Sequence, residues 1–149
     1  MASLNECIDA LAQTIRTYAT ARVYDYVPSP AIADSVVMRP PSSENLSFSR
    51  GTIEYVVELL VIAGSMNEKG AQRWLNDQIT GNGSSSIAGA IFEHPTLGTA
   101  TTESTGAADA TMTASTLGFR DYGLVSFDGG ATQHWSAVIP VRILTEGNT

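Results

Sequence analysis

Thr52-Ile53-Glu54-Tyr55-Val56-Val57-Glu58-Leu59-Leu60-Val61-Ile62-Ala63 is the stretch on which the fold turns. Its first part alternates, with Ile53, Tyr55 and Val57 on one face and Thr52, Glu54, Val56 and Glu58 on the other. That period of two is the signature of a half-buried strand. The second part, Leu59 to Ile62, is apolar on both faces and predicts a strand covered on both sides. The run is too short, and too interrupted by Glu58, to cross a bilayer, which takes roughly 20 apolar residues.

Toward the N-terminus, Leu46-Ser47-Phe48-Ser49 alternates in the same way, and Asp34 to Arg39 reads as a short strand closed by Pro40-Pro41-Ser42-Ser43. That proline segment suits a hairpin tip or an extended arm. Arg22 to Val27 is a further strand, stopped by Pro28 and Pro30, because proline cannot donate to a sheet ladder. Before it, Leu4, Ile8, Leu11, Ile15 and Tyr18 recur in steps of four and three, the stripe of an amphipathic helix. Ser3 and Glu6 form a capping box at its start.

Toward the C-terminus, Ser65-Met66-Asn67-Glu68 is a second capping box. It predicts a helix from about Ser65 through Ala71, Trp74, Leu75, Gln78 and Ile79, with Gly81 as its C-terminal cap. Ser84 to Ser86 precede a short third helix with apolar positions Ile87, Ala90, Ile91 and Phe92, ended by His94-Pro95. Thr99 to Thr116 is nearly all Thr, Ala, Ser and Gly, either an extended strand or a loop. Phe119 to Phe127 and Gln133 to Leu144 flank Asp128-Gly129-Gly130, a strong hairpin signal. In the last strand Trp135, Ala137, Ile139, Val141 and Ile143 point one way. The expected architecture is α+β: one domain over residues 1–149, with an antiparallel or mixed β-sheet. An N-terminal helix and a central helical pair pack on one face, and extended loops run over 40–50 and 99–116.

The 149 residues carry 15 acids against 8 bases, a net charge of −7. That acidity argues against a general nucleic-acid grip or an anionic membrane surface, both of which need a basic face. At 43% hydrophobic the chain can build a core, yet only 15% of it is charged, where ordinary domains run to about a quarter. Much of its surface is therefore Ser, Thr, Asn, Gly or apolar, as expected where surface is reserved for another chain. Cys7 is the single cysteine, so neither an internal disulfide nor a Cys-rich zinc site is available. Met1 to Glu6 lack the basic region and apolar stretch of a signal peptide, and the expectation is a reducing compartment.

No catalytic constellation emerges. His94 and His134 have no partners at metal-ligand spacing, and Cys7 has no local histidine signature. Gly81 to Ser86 superficially suits an anion-cradling loop but lacks the Lys-Ser/Thr ending of one. Glu54 and Glu58 share a strand face downstream of Arg50, and Asp121 adjoins Arg120. A solvated face or ion pairs between subunits explain these charges better than a glycosidase-like acid pair. Neither cofactor, metal nor enzymatic activity is expected.

Three segments carry a family resemblance. They are Tyr24-Asp25-Tyr26-Val27-Pro28 with its proline-punctuated loop; Val57-Glu58-Leu59-Leu60-Val61 with Arg73-Trp74-Leu75, Gly83-Ser84-Ser85-Ser86-Ile87 and Ala90-Ile91; and Tyr122-Gly123 with the final strand pair. Together, over roughly Leu4 to Leu144, they resemble the tail terminator (tail completion, or neck) proteins of long-tailed bacteriophages, particularly those infecting actinobacteria. The resemblance implies a structural subunit that forms a ring, usually a hexamer, in the neck of the virion. Such a ring caps the head-proximal end of the tail tube, ends its polymerisation and docks the head–tail connector. Its partners would be further copies of itself, the tube protein and the connector, with DNA only passing through an acidic lumen and no membrane involved. A head–tail connector, a tube subunit or a small-molecule-binding α+β domain is the alternative. The expected subunit contacts are Pro40, Pro41, Phe48, Arg50, Glu54, Arg120 and Asp121, with 40–50 and 99–116 as contact arms.

Overall fold

The computed structural model describes residues 4–24, 34–39, 47–49, 52–65, 69–80, 85–97, 110–126 and 133–147. Its elements follow the order α1 (Leu4–Tyr18), β1 (Arg22–Tyr24), β2 (Ser35–Arg39), β3 (Ser47–Ser49), β4 (Thr52–Ser65), α2 (Ala71–Thr80), α3 (Ile87–Glu93), β5 (Ala110–Thr116), β6 (Arg120–Val125) and β7 (His134–Gly147). The fold is α+β, with one mixed sheet.

Two 14-residue strands form its spine. β4 and β7 pair antiparallel from Thr52↔Glu146 to Ser65↔His134, each roughly 45 Å long if fully extended. The other strands extend the sheet outward from this pair. β2 and β3 flank β4 antiparallel, β1 joins β2 in parallel, and β5 and β6 lie one after the other along β7. The alternation in the opening stretch sorts the two faces. Tyr55, Val57, Leu59, Val61 and Ala63 enter one core with Ala137, Ile139, Val141 and Ile143 of β7 and with all three helices. The opposite face is buried at Val37, Ile62 and Val138, while Leu60 is half-buried, so the two-sided covering expected from Leu59 to Ile62 is strongest toward the β1 end.

One expectation needs correction, and two readings are refined. Ser65 is the last residue of β4 rather than a helix cap, and α2 begins at Ala71. Gly70 at φ +95° supplies the turn, and its carbonyl accepts the first helical bond from Trp74 N–H. The strand wins because Ala63 still fills the core beside Val61. Residues 110–116, read as either an extended strand or a loop, are strand β5: Met112 and Ala114 are buried at alternate positions, and the rung to β7 outweighs a composition poor in large side chains. Ser47–Ser49, where the alternation from Leu46 to Ser49 suggested a strand inside the expected 40–50 loop, pairs with β4. The remaining parts of those loops, Ser3, Asp25 to Pro30, Met66 to Glu68, Gly81 to Ser84 and Asp128 to Gly130 lie outside the described residues.

α1 and α2 present the expected faces: Leu11 and Ile15 are fully buried, as are Ala71, Leu75, Gln78 and Ile79 nearly so. The seven-residue α3 depends on its caps. Ser86 Oγ accepts from Gly89 N–H at 2.9 Å, and Gln78 Oε1 of α2 accepts from Ile87 N–H at 3.0 Å. Both sites are buried, so an unfilled N–H there has no water to turn to. Ser86→Ala is expected to cost about 1 kcal/mol and Gln78→Leu about 1–3 kcal/mol, read from urea midpoints.

Candidate functional site

Two surfaces stand out. The first is an ion-pair belt on the sheet face away from the helices. Even-numbered positions of β4 point there, so Glu54 and Glu58 share that face as the sequence indicates. Glu58 bonds Arg39 of β2 at 2.8 Å and also Arg120 of β6, which in turn holds Asp121 at 2.6 Å. Glu54 pairs with Arg142 of β7 at 2.9 Å. Three acids meet three arginines, leaving no net charge in the belt. The Glu58 side chain is only 13% exposed and bridges strands that are not neighbours in the chain.

Arg120 reaches this face because of a bulge. Between the pairs Arg120↔Val138 and Gly123↔Ser136, two residues of β6 face one of β7. Asp121 takes φ +55°, the left-handed region that aspartate tolerates better than most side chains. The extra residue flips the alternation, so Tyr122 points to the helices and donates to Asn76 Oδ1 of α2 at 2.7 Å. Its ring also packs against Trp135 and Phe119, with centroids 5.9 and 6.1 Å apart. Asp121→Val therefore places a β-branched residue in a backbone state that costs it about 1–2 kcal/mol, whereas Asp121→Gly should hold the melting temperature within a few degrees.

The second surface is an apolar groove where α2, α3 and the β5–β6 connection meet. It encloses about 530 Å³ and is lined by Ile79, Thr80, Ala88, Phe92, Thr116, Gly118 and Phe119, none of them charged. Gly118 at φ +82° turns the chain between β5 and β6, and its neighbours Leu117 and Phe119 are 55% and 49% exposed. Phe92 is 82% exposed. Its helical spacing suggested core, but Ile87, Ala90 and Ile91 already occupy the inward face of α3, and Phe92 falls in line with Ala88 along the groove.

Of the expected contact residues, Glu54, Arg120 and Asp121 join the belt through intrachain pairs. Phe48 lies in β3, and Pro40, Pro41 and Arg50 lie outside the described residues. Sequence reasoning missed Arg39 and Arg142 as belt partners, since only the β2–β4–β7 register brings them to the carboxylates. It also missed the groove, which no local pattern announces.

The remaining candidates sit in local packing and hydrogen-bond contacts. His94 caps the C-terminus of α3 and stacks on Tyr18, rings 3.6 Å apart and 9° from parallel. His134 opens β7, its Nδ1 3.2 Å from the Ala63 carbonyl. Cys7 is buried in the core, and burial, reinforced by Glu6, pushes its thiol up to about 12. A neutral, enclosed thiol is a poor nucleophile. Thiol reagents at pH 8 are expected to label it only on unfolding, a rate readable from absorbance of the released thiolate. Among the described residues no three His, Cys, Asp or Glu side chains group closely enough to hold a metal, and no helix is long and apolar enough to cross a membrane. No protein-family model matches the chain, and a search of curated proteins returns no match.

Proposed function

We propose that this chain is a ring-forming structural subunit of a long-tailed bacteriophage, the terminator that caps the head-proximal end of the tail tube and joins it to the connector. The observation that carries the reading is the uncharged groove lined by Phe92 and Phe119, with Leu117 exposed beside it. Clustered apolar surface of that kind is uncommon on proteins that act alone. It agrees with the low charge of the sequence and with the family resemblance carried by Val57 to Val61, Arg73 to Leu75 and the closing strands.

A ring also gives the net charge of −7 a purpose. Repeated around a bore, the acids repel phosphates, so DNA passes without being captured. A capping assay tests the function. Tail tube subunits of the source phage, polymerised with the protein present, should give short tubes ending in a ring. Tubes of unchanged length would overturn the terminator role, and tubes made of the protein itself would reassign it as a tube subunit.

A further inference from the structure

We infer that the outer edge of β6 receives an extended, uncharged segment of a partner polypeptide as an added strand, one of whose apolar side chains seats in the Phe92–Phe119 groove. This rests on the reading of the groove as a surface for another chain, and it names the form in which that chain arrives.

The hydrogen-bond phase of β7 shows which backbone groups of β6 stand unused. Ala114 N–H points away from β7, donating to the Pro95 carbonyl at 2.7 Å, while the Pro140 carbonyl of β7 accepts from Leu117 N–H at 2.9 Å. Antiparallel pairs alternate between bonded and non-bonded, so the even-numbered residues of β7 turn their backbone toward β5 and β6. On β6 the bonded pairs are then Gly123↔Ser136 and Val125↔His134, and Leu124↔Trp135 is a non-bonded pair. Leu124, with Tyr122 before it, turns its N–H and carbonyl outward, and no described residue takes them up. Two other outer strands are engaged along their edges. Arg16 donates to the Val23 carbonyl of β1 at 3.3 Å, and Pro95 holds β5 at Ala114.

What lies beside the β6 edge selects the occupant. Leu124 and Trp135 are cross-strand partners on the helix-facing side, where Tyr122 bonds Asn76. Thr80, one turn on from Asn76 along α2, lines the groove, as does Phe119, whose ring packs against Tyr122. The groove thus opens at the start of β6 on the helix-facing side. Of the five large hydrophobic side chains exposed among the described residues, Phe92, Leu117, Phe119 and Val125 lie at this margin. No lining residue is charged, and Arg120 and Asp121 at the start of β6 pair with each other. A strand answers all of these features: its backbone fills the open rungs and every second side chain falls on the helix side. An uncharged one leaves no ion stranded on an apolar floor. A helix spends its own backbone groups internally and has none to offer Leu124.

Peptide display and amide exchange test it. Random twelve-residue peptides are selected on the intact protein, and the enriched ones are synthesised. They should carry apolar residues at alternate positions with no charge on that face. Methylating the backbone nitrogens in one alternating phase should weaken binding at least about tenfold, and methylating the other phase should not. Leu124 N–H should exchange readily in the protein alone and at least about tenfold more slowly with peptide bound, while Gly123 and Val125 are slow in both states. Leu124→Pro, which removes that donor at an edge where proline is tolerated, should weaken binding at least about tenfold, and so should Phe92→Ser with Phe119→Ser. Circular dichroism checks that the variants fold; should one misfold, the methylated peptides decide. Binding indifferent to the phase of methylation would place the peptide by side chains alone and overturn the added strand. So would binders with apolar residues at helical spacing, or a library without binders. Leu124 N–H already protected in the protein alone would assign the edge to a second copy and equally overturn the proposal. The ring reading stands or falls separately, on the mass of the protein in solution.

Discussion

Leu59→Ala is expected to lower the free energy of unfolding by about 2–5 kcal/mol, among the largest effects of any single truncation in the chain. Leu59 is fully buried at the midpoint of β4, with Met38 of β2 on one side in register and Ile139 of β7 on the other. Both neighbours are themselves nearly inaccessible, and they are fixed by two ladders. The hole left by three lost carbons therefore cannot collapse by backbone movement, which is the condition for a cost at the upper end of the range. A domain of this size has total stability of only about 5–15 kcal/mol, so the variant should unfold at much lower urea. Val56→Ala, half-buried on the opposite face of the same strand, serves as control and should cost about 1 kcal/mol or less. Equal effects at the two positions would mean that the core does not lie on the helix-facing side of β4.

Alkaline pH should produce the second large effect, and its sign follows from Cys7. The folded thiol is held at about 12, against 9.0 in an unfolded chain. Its contribution to stability is complete below pH 9, because both states are then protonated. Between pH 9 and 12 the unfolded chain gives up a proton that the folded chain retains, and unfolding becomes easier by about 1.4 kcal/mol per pH unit. Over the whole window this approaches about 4 kcal/mol. Burial also raises Tyr55, with Cys7 and Glu6 reinforcing it, so the loss steepens once tyrosine would ionise in the unfolded chain above pH 10. Urea titrations at pH 7, 9, 10 and 11 measure the slope. Cys7→Ala should flatten the part that begins at pH 9, and an unchanged slope in that variant would assign the alkaline loss elsewhere.

The helices and strand spine were legible in the sequence because their patterns are local. Every second residue from Ile53 to Val61 and from Ala137 to Ile143 is apolar, and Leu11 with Ile15 or Leu75 with Ile79 mark helix faces at the right spacing. What escaped is non-local. Nothing near Ser65 reveals that β4 continues past Ile62 through a bulge to reach His134, so the capping-box pattern read as a helix start. The Thr- and Ala-rich β5 reads as strand or loop alike until β7 supplies its rungs. At the surfaces the same division holds. Arg120 and Asp121 were picked out by adjacency and do pair, yet the second partner of Arg120, Glu58, lies 62 positions away and is reached through the register shift at Asp121. Phe92 matched a core position by period alone. Only the packing of α3 against α1, α2 and β5 decides which side of so short a helix is inward.

The proposed working unit is a ring rather than the isolated domain. The mass of the full chain in solution, measured by sedimentation velocity across a wide concentration range and followed by electron microscopy of the same sample, addresses it most directly. The expected result is a discrete closed oligomer, six copies if the chain follows the family it resembles, seen as single rings with a central bore. A monomer at every concentration, or open filaments of indefinite length, would contradict it.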